Sequence, residues 1–338
     1  MSASDPVFVE APARLHFGVL DLRGDLGRRF GGVGAAVPSP SLLVEARPAP
    51  APALSAAGPD ADRALEFARR FAGHHGLAGA GAGAHLVVHR AIPAHAGLGS
   101  GTQLALAVAR ALAELQGLPT EVTALARAVG RARRSAIGTW TFAHGGFVLE
   151  GGRTADADRV APLLARLPFP ETWRCVVAVP RGKPGLAGDD EAAAFARLPS
   201  PSARDVERVA HLVLMQLLPA LADADLAGFG DALGEVQRIT GGWFAPVQGG
   251  VFAPGETGEL IEQLRAWGAV GVGQSSWGPA VYGIVGDAGA SRALAERVRR
   301  AVGAGGLVYE GGFSVGGARV WRDETAVSGG KKGSLPGD

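Results

Sequence analysis

The chain predicts an α+β protein built as two domains, and three observations carry that expectation. Its 338 residues are enough for two substantial cores. Helical apolar spacings alternate with short strand-like runs along the whole length. Around residues 84–112, a strand-like run passes through a glycine-rich turn straight into a strongly apolar helix. The expected division is a first domain over 1–165 and a second over 166–322. Residues 323–338, rich in Gly, Ser and Lys, are expected to form a disordered tail.

Taken in order, residues 7–45 read as strands around an unusual charged loop, Asp21–Gly34, which holds Asp21, Asp25, Arg28 and Arg29 among several glycines. Pro48–Pro59 reads as a surface connection. Ala61–His74 has helical spacing, with Leu65, Ala68 and Phe71 on one side. Ala84–Arg90 alternates as a strand, and the helix beyond the glycine turn repeats Leu104, Val108 and Leu112 every four residues. A further helix over Pro119–Arg134 ends in arginines, and Ser135–Gly152 reads as irregular. Leu163–Pro170 marks the domain boundary. Beyond it, Arg174–Val179, Ala280–Val285, Leu307–Glu310 and Ala318–Trp321 read as strands. Ala203–Leu218, Glu259–Trp267 and Arg292–Val302 read as helices, the first with Val206, Val209, Val213 and Leu217 on one face. No internal repeat is visible.

Charge and composition exclude several classes. A net charge of +1 gives no global field for nucleic acid or anionic lipid, so any anion must be held locally. The single cysteine, Cys175, excludes a disulfide framework and a Cys-based metal centre, and fits a small buried hydrophobe in a strand. No basic-then-apolar leader opens the chain, and no apolar run approaches the roughly 18–20 residues of a membrane span. A cytoplasmic enzyme without nucleic-acid or membrane partners is expected.

The stretch Pro93 to Thr102 carries the most chemistry. Gly97, Gly99 and Gly101, with Leu98, Ser100 and Thr102, lead into a helix N-terminus. There, unpaired N–H groups and a partial positive charge form a cradle for phosphate or pyrophosphate. Upstream, Arg14 and His16 share one face of a strand and put a cation beside a titratable donor. Asp21 and Asp25 are the nearest acids able to take a phosphate-chelated Mg²⁺. Residues 122–149 contain no acid, while Arg127, Arg131, Arg133 and Arg134 cluster and could grip phosphate bidentately. His144, before Gly145-Gly146, is a candidate acid/base. Gly241–Gly250 reads as an aromatic glycine loop able to hold a planar ligand through Trp243, Phe244 and Gln248. Gly271–Ala280 is a second polar glycine loop with Gln274, Ser275, Ser276 and Trp277.

With these pieces in order, the chain resembles the GHMP kinase superfamily over most of its length. Pro12–Gly18 looks like the first motif, Pro93–Thr102 the phosphate-binding second motif and Gly271–Gly278 the third. The resemblance implies an N-terminal domain with a left-handed βαβ crossover, a ferredoxin-like C-terminal domain and a cleft between them. Family kinases place a catalytic Asp shortly before a Gly-Gly pair and a Mg²⁺-binding Glu in the preceding helix. Here Gly138 falls near the first position, the acid-free stretch removes the second, and Gly101 stands where many kinases carry a second serine. ATP-dependent phosphorylation is therefore not expected.

The strings Arg14-Leu-His-Phe-Gly-Val-Leu-Asp-Leu, Phe142-Ala-His-Gly-Gly-Phe and Pro246-Val-Gln-Gly-Gly resemble a non-kinase branch, the β-ribofuranosylaminobenzene 5'-phosphate synthases. That resemblance implies condensation of phosphoribosyl pyrophosphate with 4-aminobenzoate or 4-hydroxybenzoate, with loss of CO₂ and pyrophosphate, as the first committed step of tetrahydromethanopterin biosynthesis. It also implies substrate-chelated Mg²⁺, no ATP and a homodimer. On this reading Gly97–Thr102 holds the pyrophosphate, and Arg14, Arg28, Arg29 or Arg134 the 5'-phosphate. Trp243, Phe244 and Trp277 would line an aryl pocket with Gln248, Ser275 and Ser276, while His16, His144 and Gln274 are candidate donors to the aryl acid. The competing readings are an atypical small-molecule kinase and a non-catalytic phosphate-ligand-binding relative.

Overall fold

The computed structural model describes residues 5–77, 83–156, 159–181, 184–186 and 188–322; the expected tail over 323–338 lies outside the described residues. β1 (Val7–Asp21) and β2 (Phe30–Pro48) pair antiparallel over most of their length. Along β1 the odd positions Val7, Val9, Ala11, Ala13, Leu15 and Phe17 are fully buried in the core. A period of two therefore puts Arg14 and His16 on the opposite face, where the site is built. The register shifts between His16 and Gly18, and a methyl on Gly18 would lie 2.8 Å from Val236 Cγ1. A bulge there re-aims the strand and lets a helix of the second unit come close.

The charged loop is shorter than its composition suggested. Gly31, Gly32 and Gly34 belong to β2, and the backbone of β1 presses on the last two: a methyl on Gly32 would lie 2.9 Å from Gly18 O and one on Gly34 2.4 Å from Leu15 O. β3 (Leu54–Ala57), inside the expected surface connection, runs parallel to β4 (Ala84–Arg90), with α1 (Ala61–His74) between them. The helix α1 buries Ala64, Phe67, Ala68 and Phe71, so of the expected face Ala68 and Phe71 are buried while Leu65 is only half-buried. α2 (Ser100–Gln116) begins at the glycine turn and is buried along most of its length, which its alanine-rich surface permits. The helix expected over 119–134 is only α3 (Val122–Ala128), since Gly130 and Ala132 adopt positive φ of 68° and 60°. The stretch expected to be irregular contains α4 (Ile137–His144) and β5 (Phe147–Glu150). β6 (Leu163–Leu167), within the expected boundary, pairs with β5, which pairs with β2.

The second unit runs β7 (Arg174–Val179), α5 (Gly188–Arg197) and α6 (Ala203–Leu212), then one π turn over Val213–Leu217 into α7 (Leu218–Ala222). It continues with α8 (Leu226–Gln248), α9 (Glu256–Ala266), β8 (Val270–Gln274), β9 (Val281–Val285), α10 (Ala288–Val302) and β10 (Leu307–Gly311). The strand order β10-β7-β9-β8, antiparallel throughout, is ferredoxin-like. Cys175 is buried in β7, and burial pushes its thiol pKa up. The stretch 241–250 is not a loop: α8 continues to Gln248 and stops where Gly249 takes φ 92°. Gly241 serves packing, because a methyl there would lie 2.3 Å from Val251 O as the chain folds back over the helix.

β11 (Arg319–Arg322) leaves this unit and pairs with β1 at the edge of the first sheet. The division at 166–322 therefore does not follow sheet membership at its far end. Among the described residues, no helix is long and apolar enough to cross a membrane.

Candidate functional site

Three separated segments meet at the glycine turn before α2. Gly97 and Gly99 hold φ of 79° and 77°. Gly99 caps α2 with its carbonyl, accepting from the N–H groups of Thr102 and Gln103, both at 3.0 Å. From β1, Arg14 N–H donates to Leu98 O at 3.1 Å and Arg14 Nη1 donates to Gly97 O at 2.5 Å. From the turn after β8, Ser275 Oγ donates to the same Gly97 carbonyl at 2.7 Å and accepts from His16 N–H at 3.0 Å. Ala280 N–H closes the junction by donating to Ala96 O at 3.1 Å. The glycines are required by contact as well as by φ. A methyl on Gly97 would lie 2.2 Å from Ser275 O, and one on Gly99 2.6 Å from Arg14 Cγ. Leu98 is buried, so it offers the site only backbone. Desolvation draws the Arg14 pKa down to about 10 against the pull of Glu191, and it remains a cation at neutral pH.

Behind Arg14 lies a polar chain that the acid-free stretch did not suggest. His16 Nε2 is 3.3 Å from Ser135 Oγ, and Ser135 lies beside the carboxylate of Glu150 at the end of β5. Burial, then the neighbouring Arg14, lowers the His16 pKa to about 3, so its imidazole is neutral. Glu150 is fully buried and accepts from Ala136 N–H at 3.3 Å and Gly152 N–H at 2.9 Å. Desolvation outweighs those bonds and raises its pKa to about 7. Gly138 stands near the position where kinases of the resembled family carry an acid, and the space beside it is tight. A methyl there would lie 3.0 Å from Thr102 Cγ2, and its carbonyl accepts from Gln103 Nε2 at 2.9 Å.

An aromatic group stands beside Arg134. Phe244 and Trp277 meet edge to face at 4.9 Å, and Phe195 of α5 packs edge-on against both at 5.7 and 5.6 Å. The Arg134 guanidinium lies 5.4 Å from the Phe195 ring centroid and pairs with Glu191, which also accepts from Trp277 Nε1 at 3.2 Å. Phe195 and Glu191 carried no signal in the sequence, because no periodicity marked α5. Trp243 is a core residue, buried on α8, and its indole N–H is unpartnered among the described residues.

Other expected site residues are occupied elsewhere. Gln274 spends both ends of its amide inside the protein: its oxygen accepts from Ala253 N–H at 2.7 Å, and its nitrogen donates to Ser276 O at 3.0 Å and Gln248 Oε1 at 3.3 Å. Gln248 likewise closes the end of α8 through Gly250 O and Val251 O. These two glutamines build the turn rather than present free donors, while Ser276 gives the turn its backbone carbonyl and keeps an exposed side chain. His144 is exposed and stacked on Trp140 at the last turn of α4, about 10 Å along the helix from Ile137. Arg28 donates to Gly152 O at 3.0 Å and lines a small cavity with Arg153 and Arg159. Arg29 donates to Leu22 O at 2.8 Å and lies over Phe30.

Asp21 accepts from the N–H groups of Arg23 and Gly24 in its own turn, and Asp25 pairs with Arg23 on the exposed loop. Among the described residues, no cluster of three or more His, Cys, Asp or Glu could hold a metal ion. Asp21 and Asp25 are each engaged within their own loop.

Residues 62–146 match the GHMP kinases N terminal domain, and residues 217–306 match the GHMP kinases C terminal domain. The homoserine kinase of Cytophaga hutchinsonii shares the fold with a TM-score of 0.70 at 19% identity, over 95% of this chain and 99% of that one. The beta-ribofuranosylphenol 5'-phosphate synthase of Methanothermobacter thermautotrophicus is 32% identical over 92% of this chain and 97% of its own length. That of Archaeoglobus fulgidus is 36% identical over 82% and 87%. The chain therefore belongs to the beta-ribofuranosylphenol 5'-phosphate synthase family, built on the GHMP kinase fold.

Proposed function

We propose that this enzyme condenses phosphoribosyl pyrophosphate with an aryl carboxylic acid, 4-hydroxybenzoate in keeping with the phenol in its relatives' name, or 4-aminobenzoate. The ring carbon bearing the carboxylate bonds to sugar C1 as the C1–oxygen bond to pyrophosphate breaks. The electron pair of the ring–carboxylate bond then returns to the ring as CO₂ leaves. No proton is gained or lost, and a catalytic base is unnecessary. That balance is in keeping with a site whose histidine is neutral and whose kinase-acid position is Gly138.

The observation that carries this reading is the convergence of Arg14 and Ser275 on the Gly97 carbonyl beside the free end of α2, with His16 N–H donating to Ser275 Oγ and no carboxylate among the three. Departure of pyrophosphate builds oxocarbenium character on the sugar and negative charge on the leaving group. Fixed N–H donors and the Arg14 cation stabilise the latter. Phe244, Trp277 and Phe195 supply an apolar wall for the aryl ring, where a poorly solvated carboxylate loses CO₂ more readily. Arg134, paired with Glu191 beside this wall, is the candidate for the sugar 5'-phosphate. Mg²⁺ enters on the pyrophosphate as part of the substrate.

Labelled substrates test the reading. Release of CO₂ that requires phosphoribosyl pyrophosphate and proceeds without ATP is expected. ADP formation without CO₂ would overturn it in favour of a kinase, and tight phosphate binding without turnover in favour of a non-catalytic relative.

A further inference from the structure

A second group of cations surrounds the start of α2, outside the three motif segments. Gly101 is the second residue of that helix. A methyl on it would lie 2.9 Å from Arg63 Nη2 and 3.3 Å from Arg131 Nη2. Two guanidinium groups, one from α1 and one from the turn after α3, therefore reach over the first helical turn, and glycine is what admits them. Arg131 is held in place by lying 4.7 Å from the Phe67 ring centroid. Its Nε is buried and has no partner among the described residues. Arg63 keeps one bond, Nη1 to Asp60 at 3.1 Å. Around Gly130, Arg70 and Arg133 add more positive charge. Arg70 is paired with Glu66.

Such a group is costly without an anion. Burial, then Arg63 and Arg70, draws the Arg131 pKa down to about 10, and the more distant Glu66 and Glu191 only partly offset this. The N–H groups of Ser100 and Gly101 precede the first intrahelical bonds, so donors and cations point to one place.

We propose that Arg63 and Arg131 form a guanidinium clamp over the first turn of α2 that binds the terminal phosphate of a pyrophosphate group. The clamp supplies the countercharge that Asp21 and Asp25 do not bring to the cradle through a metal. The identity of the anion as the leaving group of an activated sugar rests on the synthase reading; the presence of the anion site does not. Arginine suits this role because its planar fork donates two parallel bonds to phosphate oxygens.

Calorimetric titration of inorganic pyrophosphate into the whole protein, in EDTA, tests the clamp without any turnover. Wild type is expected to bind. Arg63→Ala and Arg131→Ala are each expected to weaken binding roughly tenfold or more. Arg131→Lys, which keeps the charge but loses the fork and the ring contact, is expected to rescue binding only in part. Gly101→Ala is expected to weaken it while leaving every charge in place, and circular dichroism identifies any variant that fails to fold. The clamp is refuted by affinities within twofold of wild type in both Arg63→Ala and Arg131→Ala, if either folds. It is equally refuted by a wild type that binds pyrophosphate only when Mg²⁺ is added, or not at all. Failure of the synthase reading registers separately, as absence of CO₂ release with intact pyrophosphate binding.

Discussion

Replacing Glu150 by Gln changes how stability depends on pH, and burial fixes the sign. Glu150 is fully buried, and its pKa rises from an ordinary 4.5 to about 7 in the folded protein. Below pH 4.5 both folded and unfolded states hold the proton, and the group costs nothing. Between 4.5 and 7 the unfolded chain releases the proton while the folded chain keeps it, so stability falls as pH rises. Above 7 the loss is complete. At 1.36 kcal/mol for each pKa unit, the whole loss is about 3 kcal/mol. The ordinary response of His16 has the opposite sign over part of this range. Its pKa falls from 6.5 to about 3 in the folded state, so acidification below 6.5 favours the unfolded chain. Glu150→Gln removes the first response and leaves the second. The difference in unfolding free energy, variant minus wild type, should therefore climb by about 3 kcal/mol between pH 4.5 and pH 7. Urea unfolding at four pH values across that range measures it. Loss of one backbone bond to the amide moves the intercept but not the slope. A difference that stays level across the range would refute the placing of a protonated carboxyl at the end of β5.

Gly97→Ala and Gly99→Ala should part company. The first strains a left-handed backbone and drives a methyl against a backbone carbonyl, and is expected to lower Tm and abolish turnover; the second carries the same backbone strain but meets only the Arg14 side chain, and should cost turnover with a smaller fall in Tm. Thermal unfolding beside CO₂ release distinguishes them, and equal losses of Tm would count against the contact at Ser275. Phe244→Ala should raise KM for the aryl acid about tenfold while pyrophosphate affinity holds; a parallel fall in both would place the ring outside the aryl subsite. Arg14→Lys should lose turnover tenfold or more in steady-state assays, since lysine cannot keep the bond to Gly97 O and also face an anion.

The sequence made some of this legible because the signals were local. The strand, glycine turn and helix over 84–116 could be read from alternation, positive-φ residues and four-residue spacing, all of which act within a few positions. The same holds for α1. What failed was decided by tertiary approach. Gly241-Gly242 and Pro246 are loop composition, yet α8 runs through them because its other face is buried against β1 and β8. Gln274 reads as a donor for a ligand, but its amide is consumed by a turn whose closure depends on Ala253 and Gln248. Glu150 and Ser135 gave no sign of meeting His16, since that contact spans 119 positions between Ser135 and His16. Arg63 was invisible for the same reason: nothing in α1 announces that it reaches over Gly101.

The return of β11 to β1 has a consequence for how the protein is made. Residues Arg319–Arg322 complete the edge of a sheet whose first strand begins at Val7, with Trp321 stacked on Phe8 at 5.5 Å and Arg319 paired with Glu10. On the ribosome Val7–Glu10 stays an open edge of the first sheet until residues 319–322 have been made, able to pair with a neighbouring nascent chain. All four strands of the ferredoxin-like sheet precede β11 in the chain. Closing a contact across 309 positions is a slow step by nature, and it comes last. Joining the two described ends by a short linker and opening the chain elsewhere would bring β11 and β1 out together and remove that delay.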